Sequence, residues 1–368
     1  MVISDERAVE SAAYQRREKA TMTGKRLRIP TTWILICTLA LIVAACGGTA
    51  ATTTQGSAAT TAAETTTTAA ETTTTESMEP TVLRFGVTPA DDSAGQEERF
   101  GAMVAALEED LGVEVEFITT QSYAGHIEGL IAGDLDISVM SPFAYVIATG
   151  AGADIEARGA YITSPTGQPV YRSHGLARAD SPDVASIEDY AGKRICFVDP
   201  GSASGFLIPS AGLLAVGIDP EADLAEAIFA GGHDTSVLAI ADGSCDAGFA
   251  VDTQLDRAIA EGDVAEGELV KVWESADIPG VVLTVSGALP EDLRDAIADV
   301  FLNNTGADLY ERGFCNENWV EQDGPTGTPW CPIAGTSTWG FAVVDDSLYD
   351  SLREVCELTQ APACTETG

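Results

Sequence analysis

Cationic residues are scarce in this sequence: 19 Lys and Arg stand against 57 Asp and Glu, a formal net charge of −38. So acidic a surface repels phosphate backbones and anionic headgroups, which excludes nucleic acid as a partner and peripheral adsorption to anionic membranes. Histidine is scarcer still, with only His126, His174 and His233, and no CxxC pair occurs among the eight cysteines. That leaves no dense Cys/His cluster for a metal, so neither metal nor cofactor is expected. No apolar run approaches the roughly 20 residues that a bilayer-spanning helix needs. The run Trp33–Ala45 has 13. The nucleophile-elbow pattern GxSxG is also missing, which argues against an α/β-hydrolase serine.

What is present begins with an export signature. Lys25, Arg26 and Arg28 precede the apolar run, which ends Val43-Ala44-Ala45-Cys46-Gly47. A basic flank, a short apolar stretch and small residues describe a secretory signal. The final Cys makes it resemble a bacterial lipobox. Residues 1–45 are therefore expected to be a signal peptide and Cys46 the lipidated first residue of the mature chain. The 21 residues before Met22 make the leader long and leave Met22 as an alternative start. Cleavage removes 7 basic and 4 acidic residues, leaving 12 and 53, a net charge of −41.

From Thr49 to Ser77, 14 of 29 residues are Thr and 8 are Ala, with Ala-Ala-Glu-Thr-Thr-Thr-Thr repeated in tandem. Without large apolar side chains such a segment cannot offset the entropy of ordering. Residues 46–80 read as a lipid anchor and disordered tether that hold a soluble domain off a membrane.

Beyond Val82 short strands and amphipathic helices alternate. Strands are expected at Val82–Val87, Val113–Ile118, Ile137–Met140, Lys193–Val198, Ala227–Phe229 and Ala247–Val251. Helical spacing appears over Gln96–Leu111, Tyr123–Ala132, Gly205–Val216 and Ser236–Ala241. This order predicts an α/β architecture of mainly parallel sheets flanked by helices. Two such sets are visible. The strand at Val281–Val285 and the helix Pro290–Leu302 need a partner sheet, and returning them to the first set is the economical solution. One lobe then comprises 81–172 and 279–368, the other 173–278, and two chain crossings form a hinge.

Six cysteines remain in the mature chain: Cys196, Cys245, Cys315, Cys331, Cys356 and Cys364. An even number in an exported protein favours disulfides over free thiols. Fifteen pairings are combinatorially open. Cys315–Cys331 and Cys356–Cys364 would close local loops, and Cys196–Cys245 would join neighbouring strands of the second lobe.

Three segments carry chemistry. In Asp199-Pro200-Gly201-Ser202-Ala203-Ser204-Gly205-Phe206 a strand ends, a Gly/Ser turn follows and a helix begins. That geometry collects free backbone N–H groups and a positive dipole end, an anion site without formal charge. Gly231-Gly232-His233-Asp234-Thr235-Ser236 opens another helix, with Asp234 as its expected cap. In the first lobe Ser122-Tyr123 and Ser141-Pro142-Phe143-Ala144-Tyr145 open two more. Tyr123 and Tyr145 offer neutral hydroxyl donors.

These segments, with Gly133-Asp134-Leu135-Asp136 ahead of Ser141-Pro142 and Ala247-Gly248 downstream, resemble the phosphate/phosphite/phosphonate-binding proteins of bacterial ABC importers. The resemblance covers about Val82 to Leu302. It implies a two-lobed periplasmic-binding fold that closes on a small phosphorus oxyanion and delivers it to a permease. It also implies an extracytoplasmic location and no catalysis. By this resemblance Tyr123, Ser141, Tyr145, Ser202, Ala203, Ser204, Gly205, His233 and Asp234 surround the ligand. Ala203 departs from the family, which commonly has Thr there. Asp252 and Asp277 lie in the segments where relatives place carboxylates for an amine. The alternatives are the same fold holding another small anion or feeding a sensor, and a hydrolase built from Ser202 or Ser204 with His233. Serines at a helix start serve better as donors than as nucleophiles.

Overall fold

The computed structural model describes residues 82–89, 95–317, 320–333 and 338–365, which all belong to one compact unit, Thr73–Gly368. The expected signal, Cys46 and the tether lie outside the described residues.

The first stretch runs β1 (Val82–Val87), α1 (Gln96–Leu111), β2 (Glu114–Ile118), α2 (Tyr123–Ala132), β3 (Ile137–Met140), α3 (Pro142–Gly150) and β4 (Ile155–Ile162). After the short β5 (Val170–Tyr171) come β6 (Ser173–Arg178), β7 (Arg194–Phe197), α4 (Ile208–Ala215), β8 (Glu226–Phe229), α5 (His233–Ala241), β9 (Ala247–Val251), α6 (Gln254–Glu261) and β10 (Leu269–Glu274). The chain returns through β11 (Ile278–Pro279) to β12 (Val282–Ser286), α7 (Glu291–Asn303), α8 (Gly306–Glu311), β13 (Gly340–Val343) and α9 (Asp350–Thr359).

Two sheets result, one per lobe. The first has order β13-β4-β12-β3-β1-β2 and the second β10-β6-β9-β7-β8. Between them the crossings pair as a small antiparallel ribbon, β5 with β11. Both sheets contain the expected parallel pairs, β1 with β2 and β3, and β7 with β8 and β9. Both are nevertheless mixed: β12 runs antiparallel to β3 and β4, and β6 antiparallel to β9 and β10. The cause lies in the crossings. β6 and β12 are entered from the hinge, so each runs away from the ends where β1, β3, β7 and β9 finish.

Aromatic residues fill both interiors. Phe85 meets Phe100 and Phe301 edge to face in the first lobe, at 5.4 and 5.8 Å between ring centres. Phe197, Phe249, Tyr190 and Trp273 pack in the second. A further core joins α3, the serine turn, the hinge and α9 through Phe143, Tyr145, Leu207, Ile278, Tyr349 and Leu352, all buried. The six cysteines form Cys196–Cys245, Cys315–Cys331 and Cys356–Cys364. The first lies at zero exposure inside the second lobe; the other two staple the C-terminal elaboration of the first.

One unit occurs in both lobes. Arg84 of β1 forks onto Asp136, just ahead of β3, through Nε at 2.9 Å and Nη2 at 2.8 Å. Arg194 of β7 does the same to Asp246, just ahead of β9, at 3.3 and 2.7 Å. Each guanidinium also donates to a helix-ending glycine carbonyl, Gly133 or Gly243. Those glycines have φ of 74° and 81°, the left-handed region where a Cβ is costly. The clamp thus ends α2 and α5 and starts the next strand at a defined register.

Candidate ligand-binding cleft

Strand ends create the cleft. Thr88 follows β1, Ser141 follows β3, Asp252 follows β9, and the turn after β7 carries Ser202 and Ser204; all five line one cavity of about 850 Å³. Binding at the carboxyl ends of parallel strands is general in α/β sheets, because helix N-termini gather there. Tyr123 and His233, the first residues of α2 and α5, complete the wall.

The serine turn is packed against its own strand. Ser202 Oγ accepts the Gly205 N–H at 3.0 Å, and Val198 N–H donates to the Gly205 carbonyl at 3.0 Å. A Cβ on Gly205 would stand 2.3 Å from Val198 Cβ, so only glycine closes this turn. Ala203–Leu207 forms a π-turn that runs into α4, a local widening that recurs at functional sites. It replaces the regular helix expected from Gly205. Ser173 Oγ donates to the Ser204 carbonyl at 2.6 Å and fixes the turn to β6.

The lobes touch at Ser141. Its Oγ donates to the Gly201 carbonyl at 3.1 Å and accepts the Ala203 N–H at 3.3 Å, while its own N–H donates to Thr88 Oγ1 at 3.1 Å. Ser141, Ser202 and Ser204 are all more than nine-tenths buried.

His233 has a defined tautomer. Nδ1 accepts the Val251 N–H at 2.9 Å, so the neutral ring carries its proton on Nε2. The imidazole is thereby a hydrogen-bond donor in the cavity wall. His126 is its opposite: fully buried, with Nε2 2.7 Å from Ser138 Oγ and Nδ1 without a partner. Burial pushes its imidazole down to about 3. It is a neutral core residue.

Asp252 lies on the wall, and its Oδ2 accepts the Arg172 N–H at 3.0 Å. Burial pushes its carboxyl above the ordinary value. Asp277 is not on the wall; it accepts from Arg172 Nε at 2.8 Å.

Four of the expected ligand residues do not reach the cavity. Ala203 and Gly205 are buried beneath it, their N–H groups taken by Ser141 and Ser202. Tyr145 belongs to the hinge core: its ring packs 5.0 Å from Tyr349 and its hydroxyl donates to Asp346 at 2.8 Å. A helix-opening tyrosine turns toward whichever side is apolar, and here α9 covers it. Asp234 stands in the first turn of α5, not at its cap; the helix begins a residue earlier, at His233, behind Gly232.

The wall also holds residues that composition did not single out: Thr88, Tyr171, Arg172, Arg257, Lys271 and Glu321. Thr88 was detectable as the residue ending a strand. The charged ones were not, because their segments read as ordinary half-exposed sequence. Arg172 and Lys271 pair with Glu274, and Arg257 with Glu261.

Residues 85–320 match the family of ABC-transporter periplasmic substrate-binding proteins for phosphonate. The chain belongs to this family. It is 41% identical over 293 residues to the phosphate-import protein PhnD of Mycolicibacterium smegmatis, covering 77% of this chain and 88% of that protein. PhnD1 of Prochlorococcus marinus, solved with methylphosphonate, shares the fold at TM-score 0.65 and 18% identity, over 77% of this chain and 100% of that one. A binding-protein component of a phosphonate ABC transporter from Pseudomonas aeruginosa gives 0.64 at 20% identity, over 78% and 89%. As a member of the family the chain is an extracytoplasmic substrate-binding component of an importer and not an enzyme. The serine–histidine hydrolase alternative falls with that membership.

Proposed function

We propose that this protein is a lipid-anchored receptor that captures a phosphorus oxyanion (phosphonate, phosphite or phosphate) and delivers it to its permease. The observation that carries the reading is the meeting of neutral polar side chains from both lobes, Tyr123 with Ser202, Ser204 and His233, each more than nine-tenths buried, at one cavity where Ser141 braces the serine turn. Neutral donors in a dehydrated wall select a tetrahedral oxyanion without the cost of burying a fixed cation. Asp252 accepts from a protonated ligand oxygen or a substituent N–H. A cavity of about 850 Å³ leaves room for a substituent on phosphorus. The net charge near −41 does not forbid binding, because the Debye length at physiological salt is about 8 Å and the donors act at contact distance.

Calorimetry of the purified protein against phosphate, phosphite, methylphosphonate, 2-aminoethylphosphonate and sulfate tests this. The expected result is saturable binding of at least one phosphorus ligand and none of sulfate, which cannot offer a proton to Asp252. Binding of sulfate alone would overturn it. The anchor is tested separately: Cys46→Ser should abolish lipid labelling and release the protein from membranes. An unchanged membrane fraction removes that part of the reading.

A further inference from the structure

The family match stops at residue 320, one residue short of a cleft side chain. Glu321 lines the cavity from the segment that follows that match. It pairs with Trp330 across an antiparallel bridge, each N–H donating to the other's carbonyl at 3.0 Å. Cys331, next to Trp330, is bonded to Cys315 and donates its N–H to the Gly306 carbonyl at 3.0 Å. Trp330 is buried and packs 5.7 Å from Trp339. Its indole N–H donates to Glu321 Oε2 at 3.2 Å. A disulfide, a buried indole and two main-chain hydrogen bonds therefore set the position of this one carboxylate.

Its charge is not balanced in the way its neighbours' charges are. Arg172 and Lys271 share Glu274, and Arg257 holds Glu261. Glu321 is held by a neutral indole and has no ion-pair partner among the described residues. Glu321 is exposed, so its carboxylate presents to the cleft a negative charge that no ion pair among the described residues neutralises.

We propose that Glu321 is a specificity-determining residue, a charge filter that excludes phosphorus oxyanions whose substituent carries a second anionic group. The proposal rests on the cleft being the oxyanion site. Like charges facing each other across a cleft disfavour one of two ligands of equal shape, and because Glu321 is exposed the discrimination is moderate and sensitive to salt. Phosphonoacetate and its amide, carbamoylmethylphosphonate, have nearly the same shape and differ by that one charge.

Competition calorimetry on the full protein uses these two ligands with methylphosphonate as the reference. The parent is expected to prefer the amide over the carboxylate by about tenfold, and the preference should shrink as salt screens the carboxylate. Glu321→Gln keeps an oxygen for the Trp330 indole, so the hairpin is retained. It should reduce the preference to within about threefold and leave methylphosphonate affinity within about twofold. Equal affinity of the parent for both ligands, or the same preference in the parent and in Glu321→Gln, overturns the filter while methylphosphonate binding still supports the cleft. If none of the three phosphonates binds the parent, the filter is overturned, and titration with phosphate and phosphite decides separately whether the cleft is the oxyanion site.

Discussion

The two lobes are built from one strand–helix–strand–helix–strand unit, and they differ in what that unit presents. In each, an arginine of the first strand clamps an aspartate ahead of the last strand, and the second of the two helices between opens with a cleft residue. That residue is Tyr123 behind a serine cap in the first lobe and His233 behind a bare glycine in the second. The fourth helix residue is polar and fully buried in both. His126 reaches Ser138 in the first, and Ser236 donates to the Phe249 carbonyl at 2.8 Å in the second. After the last strand comes a hydroxyl, Ser141, in one lobe and a carboxyl, Asp252, in the other. Only the second lobe adds the glycine-closed serine turn. The shared frame fixes where cleft residues stand; the departures from it place most of the proposed oxyanion donors in the second lobe and the fully buried histidine in the first.

The largest effect should come from breaking the element that the first lobe lacks. Gly205→Ala forces a Cβ to within 2.3 Å of Val198. The turn must move, which should cost about 1–3 kcal/mol of stability by overpacking and weaken oxyanion binding by more than about 100-fold. Calorimetry and thermal unfolding report the two separately.

Next come the donors themselves. Ser202→Ala and His233→Ala should each weaken binding by about 10- to 100-fold, the worth of one buried charge-assisted hydrogen bond of about 1.5–3 kcal/mol. Tyr123→Phe and Ser141→Ala, on the other wall, should cost about 3- to 10-fold. Equal losses on both walls would show that the lobes share the ligand evenly.

Acid should separate the lobes. His126 takes a proton near 6.5 when unfolded but only near 3 when folded, because burial opposes the charge. Unfolding therefore takes up a proton in that window. The stability this group contributes is present above pH 6.5 and declines by about 1.4 kcal/mol per unit as pH falls toward 3. Amide exchange should show α2 and β3 losing protection before α4 and β7, which carry no histidine. His126→Gln should remove the difference.

The clamps should rank by burial. Asp136 is 10% exposed at its side chain and Asp246 31%. Asp136→Asn should cost about 2 kcal/mol and Asp246→Asn about 1, in denaturant unfolding. The smallest effect on binding is expected at Tyr145→Phe, within about twofold. That variant should lose only about 1 kcal/mol of stability with the Asp346 hydrogen bond.

Much of the cleft was legible residue by residue. The Gly/Ser turn after a strand and the Gly-Gly-His opening of a helix both stand on the wall, because strand ends and helix starts are local events with local signals. Gly133-Asp134-Leu135-Asp136 was visible as a motif, and its counterpart Gly243-Ser244-Cys245-Asp246 could have exposed the repeat. Tyr145 could not be sorted this way. Its spacing is the same whether it faces ligand or core, and the deciding neighbour, Tyr349, lies more than 200 residues on. Glu321 gave no signal, since a lone carboxylate in an acidic chain is unremarkable until a hairpin carries it to the cleft.

By itself the amino-acid sequence determined the α/β class, the alternation of elements and the serine turn and histidine of the proposed oxyanion site, because periodicity and turn chemistry are properties of the chain taken locally. Tertiary structure alone decided the strand directions, the Ser141 contact between lobes, the His233 tautomer and the arrival of Glu321. Each of these depends on a partner brought near from a distant part of the chain. A hydrogen bond to the Val251 N–H or a strand entered from the hinge exists only once long loops have closed and the apolar cores have set the register.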